Sequence, residues 1–346
     1  MVGLSRFQPA MTEHTTPTDA VELYLDHRRG DLASASLQSH EYRLNPFLRW
    51  CDREGIQSME TLSGRDLAAY KAWRRDDGDL APATLKTQMD TIRVFIRFCE
   101  SIEAVPENLH EKVLSPTLKA RENQRDERIK PERAKEILSF LGRYRYASLG
   151  HVIMALLWRT GIRLGGVRAI DLTDYKPDRS RIELYHRPES DTPLKNQSEG
   201  ERYLALKTKT CELLDDWIEY NRPDVTDDYG REPLLASNHG RLSRASTRRY
   251  VYRLTRPCET GECPHGRDPD GCEATGNGGH AASKCPSSHG THAIRRGSIT
   301  HFLASDVPEE VVCDRMNVSR DVLDDHYDRR PEEQKVEQRR GYLNNV

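Results

Sequence analysis

Five side chains far apart in this sequence could together bind one phosphate and attack it: Arg163 in TGIRLGG, Lys195 between two runs of alternating polarity, His292 and Arg295 in HAIRR, and Tyr327 in DDHYD. Two arginines can hold a phosphodiester by its non-bridging oxygens, because the guanidinium fork matches phosphate geometry and keeps its charge. A tyrosine can then attack the phosphorus. A phenol of pKa about 10 is a poor nucleophile at neutral pH, so cationic surroundings must stabilise the developing phenolate and the five-coordinate transition state. Lys195 and His292 would supply protons. His292 and Arg295, three apart on one predicted helix, share a face, so one phosphate oxygen could meet both.

The elements that must position these groups follow from periodicity. Residues 1–16 are polar and threonine-rich and are expected to be a disordered tail. Over 17–114 the apolar spacing is helical, with Val21 and Leu25, then Leu44, Phe47 and Leu48, then Leu67, Tyr70 and Trp73, then Leu85, Met89, Ile92, Phe95, Ile96 and Cys99, which predicts a four-helix unit. The charged stretch 115–130 reads as a linker, and 131–346 as a second domain opened by Pro131 at a helix start. An apolar helix over 149–158 stops at Thr160 and Gly161, so Arg163 lies just past its end. Residues 181–186 and 201–206 alternate and predict strands, with Lys195 in a connection longer than a tight hairpin. A helix over 210–220, a basic helix, a cysteine-rich insertion at 257–290 and three short helices follow. Thr291 reads as the cap of the helix with His292 and Arg295, Pro308 as part of the first turn of the next, and Ser319 as the cap of the helix bearing Tyr327. The fold class is α+β, mostly helical, with a small sheet.

A chain of 346 residues can hold two domains. It has no run of eighteen apolar residues and no apolar signal core, so a cytoplasmic protein with no membrane partner is expected. The net charge of −2 argues against a uniformly basic nucleic-acid binder. Its distribution argues the other way, because 240–256 carries six arginines and no carboxylate, the footprint a phosphate backbone needs. The carboxylate-rich remainder would suit a high-salt cytoplasm.

The order and spacing of TGxR, an inter-strand lysine, HxxR and a C-terminal tyrosine resemble the tyrosine recombinase family (phage integrase, Xer-like), with a particular likeness to its haloarchaeal branch, over about residues 15–340. The resemblance implies a helical core-binding domain and a catalytic domain that close as a clamp on double-stranded DNA. It implies a site-specific recombinase or integrase that cuts and rejoins DNA through a 3′-phosphotyrosyl link, without ATP or a catalytic metal, as a homotetramer on synapsis. In it Arg163, Arg295 and His292 stabilise the transition state, Tyr327 is the nucleophile, and Lys195 is the acid for the leaving 5′ oxygen, free to move until DNA binds. Lys207 and Lys209 compete for that last role. Three positions depart from the family. Gly166 stands where glutamate is common, leaving Asp171 or Asp174 to orient Arg163. The third-motif histidine, normally nine residues before the tyrosine, is replaced by Val318, or by Asn317 one step back; His326 is an alternative. Arg296 stands where histidine is often found. The last segment, beyond Tyr327, packs either on a neighbouring protomer or on its own chain.

Arg244, Arg248 and Arg249 of the basic helix are the candidate DNA contacts; the alternative is a salt-bridged surface. Cys258, Cys263, Cys272 and Cys285, with four, eight and twelve residues between them, are the candidate ligands of a structural zinc. His265, His280 and His289 are possible substitutes, and free thiols or a redox switch are the alternative. Cys51, Cys99, Cys211 and Cys313 read as small core residues. Two other functions fit the sequence: a DNA-binding regulatory or accessory protein with a decayed site, and a relaxing enzyme like the type IB topoisomerases.

Overall fold

The computed structural model describes residues 14–118, 127–276, 280–328 and 330–343. Most of the expected tail and half of the expected linker lie outside them. The chain divides into two compact units, Met1–Arg125 and Asp126–Val346.

The first unit holds α1 (Pro17–Arg28), α2 (Ser34–Glu54), α3 (Gly64–Asp77) and α4 (Pro82–Ser101). Each boundary has a local cause. Thr16 caps α1 through its hydroxyl, so it belongs to the fold rather than to a tail. Ser63 and Asp66 form a reciprocal capping box on α3, and Gly55, at φ 71°, ends α2 in the left-handed region that favours glycine. The apolar stripes meet in one core in which Tyr24, Phe47, Tyr70 and Phe95 are fully buried. Phe47 stands edge-on to Tyr70 at 5.4 Å, worth about 1 kcal/mol beyond area burial. Leu25, Leu48 and Trp73 close the edge of this core.

The second unit runs α5 (Pro131–Tyr144), α6 (Leu149–Thr160), α7 (Leu164–Ala169), β1 (Tyr175–Lys176), β2 (Arg181–Leu184), β3 (Arg202–Ala205), α8 (Thr208–Asp216), β4 (Ala236–Ser237), β5 (Gly240–Arg241), α9 (Arg244–Thr255), α10 (Thr291–Ala304), α11 (Glu309–Met316), α12 (Arg320–His326) and α13 (Glu332–Leu343). The predicted strands are present but shorter, and β1 adds an edge that two residues were too few to announce. The sheet is antiparallel in the order β1-β2-β3, with Ile182 opposite Leu204 and Leu184 opposite Arg202. A π-helical turn, Trp217–Asn221, continues α8. The cap of α10 is Gly290 rather than Thr291, and Pro308 caps α11. Ser319 caps α12 as expected.

Helix α6 is buried along nearly its whole length and packs against α5, α9 and α10. The last of these is held by a close backbone approach. Ile129 N–H donates to Ala293 O at 3.1 Å, and a Cβ at Gly297 would lie 2.2 Å from Ile129 O. Ser298 Oγ donates to Trp158 O at 2.6 Å. A second, smaller core of Ile299, Leu303, Val312, Met316, Val318, Leu323 and Tyr327 joins α10, α11 and α12. Gln338 of α13 donates to Leu303 O of the same chain at 2.9 Å, so this helix rests on its own α10.

The approach at Gly297 has no room for a methyl group, whereas a Cβ at Gly142 would have its nearest neighbour, His151, at 3.9 Å. Gly297→Ala should therefore cost about 1–3 kcal/mol of stability, and Gly142→Ala should be neutral or gain up to about 1 kcal/mol from helix propensity. Urea denaturation of the full chain checks both.

Candidate phosphate-binding active site

The last carbonyls of a helix have no partner within it and sit at the negative end of its dipole. At the end of α11 three consecutive carbonyls each take one arginine. Arg315 O accepts from Arg202 Nε at 2.8 Å, Met316 O from Arg295 Nη2 at 2.8 Å, and Asn317 O from Arg163 Nη1 at 2.9 Å. Arg295 Nη1 also donates to Gly161 O at 2.5 Å. Two constraints fix glycine at position 161: its φ is +62°, and a Cβ there would lie 2.6 Å from Met316 Sδ. Arg163 follows in extended backbone as the first residue before α7. The TGIR run is thus a helix stop that lets α6 touch the end of α11 and aims Arg163 along it.

Tyr327 follows α12 directly. Its carbonyl accepts from Thr300 Oγ1 at 2.9 Å, and only 9% of the residue is exposed. The Arg295 guanidinium lies over its ring, 5.7 Å from the centroid. Arg295 is 1% exposed, the largest fully buried side chain among the described residues, and its Nε has no partner among them. Burial, then the charge of Arg163, pushes its pKa down to about 10, with Tyr327 acting in opposition. Burial lowers Arg163 as well, again opposed by Tyr327. Burial and then Arg295, Arg163 and Arg315 push Arg202 down to about 10, with an offset from Asp314. All three remain cationic at neutral pH. Such crowding of buried cations is costly unless an anion joins them.

His292 lies on α10 with part of its ring in solvent. Desolvation on the protein side, then the charges of Arg295, Arg296, Arg163 and Arg248, hold its pKa below the usual histidine value, so the imidazole is neutral near pH 7. Lys195 is exposed. The segment around it is not an open loop: it folds as two tight turns, Pro188–Ser190 and Gln197–Gly200, and is tied to the end of α11. Asn196 Nδ2 donates to Asn317 Oδ1, Asn317 Nδ2 to Glu199 O at 2.6 Å, and Arg202 Nη1 to Gly200 O at 2.7 Å. The structure thus gathers Arg163, Arg295, Tyr327 and Asn317 closely, sets His292 within electrostatic reach of both arginines, and leaves Lys195 one residue from the Asn196 contact.

Two expectations about the departures are corrected. Asp171 and Asp174 do not orient Arg163. Asp174 takes both ends of Arg187 at 2.8 and 2.6 Å, while Asp171 is paired with Arg187, Arg231 and Arg241; Arg163 is held by the Asn317 carbonyl instead. The position nine before the tyrosine is structural, since Val318 packs in the same core as Tyr327. Gly166 is buried near Leu184, Arg296 Nη1 reaches Glu127 O at 3.5 Å, and the side chain of His326 lies outside the described residues.

The six arginines of 240–256 divide into two groups. Arg241 pairs with Asp171 and Asp227, Arg256 pairs with Glu259 at 3.0 Å, and Arg253 stands 3.9 Å from the same carboxylate. Arg244, Arg248 and Arg249 are exposed and form no ion pair with a described carboxylate. Arg249 bonds to Ser246 at 3.1 Å, Arg244 lies beside Gly165 of α7, and Arg248 acts on His292. This row of free charge borders the arginine site.

Cys258, Cys263 and Cys285 are near enough that the latter two, after burial and against Arg256, help raise the Cys258 pKa. Cys263 Sγ lies 3.7 Å from His265 Nδ1. Among the described residues no three His, Cys, Asp or Glu side chains stand close enough to hold a metal ion. Cys51, Cys99 and Cys211 are buried and Cys313 is half-buried.

Residues 21–101 match the phage integrase N-terminal SAM-like domain. The Tn1549 transposon integrase, solved with circular intermediate DNA, superposes over 94% of this chain and 99% of its own with a TM-score of 0.64 at 14% identity. A lambda integrase dimer bound to a core site covers 91% of this chain and 96% of its own, with a TM-score of 0.61 at 15% identity. The chain belongs to the phage integrase, or tyrosine recombinase, family. The N-terminal domain of a phage integrase/site-specific recombinase from Haloarcula marismortui is 38% identical over 30% of this chain and 98% of its own, with a TM-score of 0.29. No curated protein matches the chain in sequence. Among the described residues no helix is long and apolar enough to cross a membrane.

Arg202 is the site residue that sequence reasoning missed, although a signal was present. It shares the inward face of β3 with Leu204, where a charged side chain needs a reason. Arg202→Met removes one of the three clustered charges and leaves Arg315 O unpaired. It should cost about 1–3 kcal/mol and shrink the stabilisation that inorganic phosphate gives over chloride at equal ionic strength. Thermal denaturation in the two salts reads both effects.

Proposed function

We propose that this recombinase-family protein is an active site-specific recombinase or integrase that cuts and rejoins double-stranded DNA through Tyr327. The observation that carries the reading is the arrangement of Arg163 and Arg295. Both are held on consecutive carbonyls, both are acted on by Tyr327, and no described carboxylate cancels either charge. A phosphodiester seated there meets two guanidinium groups and lies beside the phenol. As its phenolic proton passes to solvent, the Tyr327 oxygen attacks the phosphorus, the bond to the 5′ oxygen breaks, and a 3′-phosphotyrosyl link forms. Lys195 delivers the proton that makes the departing oxygen a 5′ hydroxyl, and the neutral His292 hydrogen-bonds a non-bridging oxygen. Because the new link keeps the bond energy, a second 5′ hydroxyl can reverse the step without ATP. Arg244, Arg248 and Arg249 would meet the DNA backbone next to the scissile phosphate, and both units would engage the duplex, four protomers to a synapse.

Nicked suicide duplexes cut from the repeats flanking the gene test this directly. The wild-type chain should give an SDS-resistant protein–DNA band that Tyr327→Phe loses while its DNA affinity stays within about threefold. Binding without a band would favour the DNA-binding protein with a decayed site, for which the absence of a third-motif histidine is the motive. Relaxation of supercoils with no site preference would favour a topoisomerase-like enzyme.

Cys258, Cys263, Cys272 and Cys285 are proposed as the ligands of a structural zinc. Their segment buries little apolar surface of its own, Ala274, Ala281 and Cys285, so a metal would supply the cohesion a core does not. No catalytic step depends on it. Elemental analysis of protein purified without chelator should find about one zinc per chain, and chelation should lower thermal stability. Full folding with no bound metal would remove the proposal.

A further inference from the structure

We infer that Asn317 is a positioning residue that latches the segment carrying Lys195 onto the arginine pair. The inference rests on the reading of Lys195 as the general acid. Asn317 sits at φ 48°, ψ 65° just past α11, a left-handed conformation that asparagine tolerates better than most residues. Three contacts use its side chain. Oδ1 faces Arg163 Nη1 at 3.4 Å and accepts from Asn196 Nδ2, while Nδ2 donates to Glu199 O at 2.6 Å. The first partner belongs to the arginine that would bind phosphate; the other two flank the turn that follows Lys195.

An amide has no proton to give in this pH range, but it can both donate and accept, which is what a bridge between a guanidinium and a peptide turn requires. The backbone separates the roles further. Asn317 O holds Arg163 whatever the side chain is, so the side chain is left to set the distance between Arg163 and the lysine. The segment is already anchored at its far end by Arg202 on Gly200 O. With Asn317 holding Asn196 and Glu199, the turn is fixed at both ends against the helix that holds the arginines. The lysine is thereby presented before DNA arrives.

Asn317→Gly is the informative variant, because glycine keeps the left-handed backbone and the carbonyl to Arg163 while deleting the latch. Hydrogen exchange of the DNA-free full chain needs no substrate. The amides of Gln197 and Glu201, bonded to Leu194 O and Ser198 O, should exchange about tenfold faster in Asn317→Gly, and those of β2 should not change. Unchanged exchange at 197 and 201 overturns the latch.

The second measurement compares cleavage of the suicide duplex with that of the same duplex bearing sulfur at the bridging 5′ position. There the P–S bond breaks and the thiolate, of pKa about 8.5, departs without an acid. Asn317→Gly and Asn196→Ala should slow the oxygen substrate by about 10²-fold, the scale of a misplaced catalytic group, yet cleave the sulfur substrate within about threefold of wild type, as Lys195→Ala should. Equal slowing on both substrates, or slowing on neither, overturns the proposal. If the wild-type chain cleaves neither duplex, the recombinase reading fails, and the exchange measurement alone decides the latch.

Discussion

The architecture of the second unit turns on the free carbonyls at the end of α11. A helix terminus must satisfy its last C=O groups somehow, and here the chain spends three of them on arginines from three other places: the turn after α6, strand β3 and helix α10. Each is a charge-assisted hydrogen bond, the stronger kind. Around this point the unit is built to bring elements close. Gly161 admits Met316, Gly297 admits the chain before α5, and the small apolar core beneath α11 carries Tyr327 to the same spot. Losing the glycine at 161 would therefore disturb a helix stop, a packing contact and an arginine together.

A neutral carbonyl orients a guanidinium without cancelling its charge, and this distinguishes two kinds of arginine in the protein. Arg187, Arg231 and Arg241 converge on Asp171, Asp174 and Asp227, three charges matched by three, so the knot has no net charge to attract a ligand. Arg163, Arg202 and Arg295 are held almost wholly by peptide oxygens, and burial, reinforced by their mutual repulsion, lowers the pKa values of Arg202 and Arg295. Gly166, where the family favours glutamate, fits this scheme. Without a carboxylate at that position the first arginine is aimed by Asn317 O and keeps its full charge for a phosphate.

Much of this was legible in the sequence, for identifiable reasons. The apolar spacing of the N-terminal helices, two of which also start at a capping Thr16 or Ser63, let Leu44, Phe47, Met89 and Phe95 be placed in a core from sequence alone. Arg163, His292, Arg295 and Tyr327 stand in short runs whose order is informative. The rest depends on contacts distant in sequence. Arg202 looks like an ordinary strand residue until β3 meets α11. Asp171 and Asp174 lie near Arg163 along the chain, and that proximity misled, because the carboxylates turn toward Arg187, Arg231 and Arg241. The segment around Lys195 contains no periodic pattern, so nothing in it foretold the two turns or their attachment to Asn317. The cysteine intervals suggested a site by composition, while among the described residues no three such side chains come close enough to hold a metal ion.

The division of the arginines between 240 and 256 bears on how such a protein can change over time. Arg241, Arg253 and Arg256 face carboxylates of their own chain, so replacing Arg241 or Arg256 would unbalance a half-buried ion-pair group. Arg244, Arg248 and Arg249, all on α9, are exposed with no such obligation. Substitutions there are cheap for the fold, and they alter only what the surface meets. One short segment therefore has a fixed side that keeps the unit folded and a free side on which partner preference can drift, beside a centre that cannot.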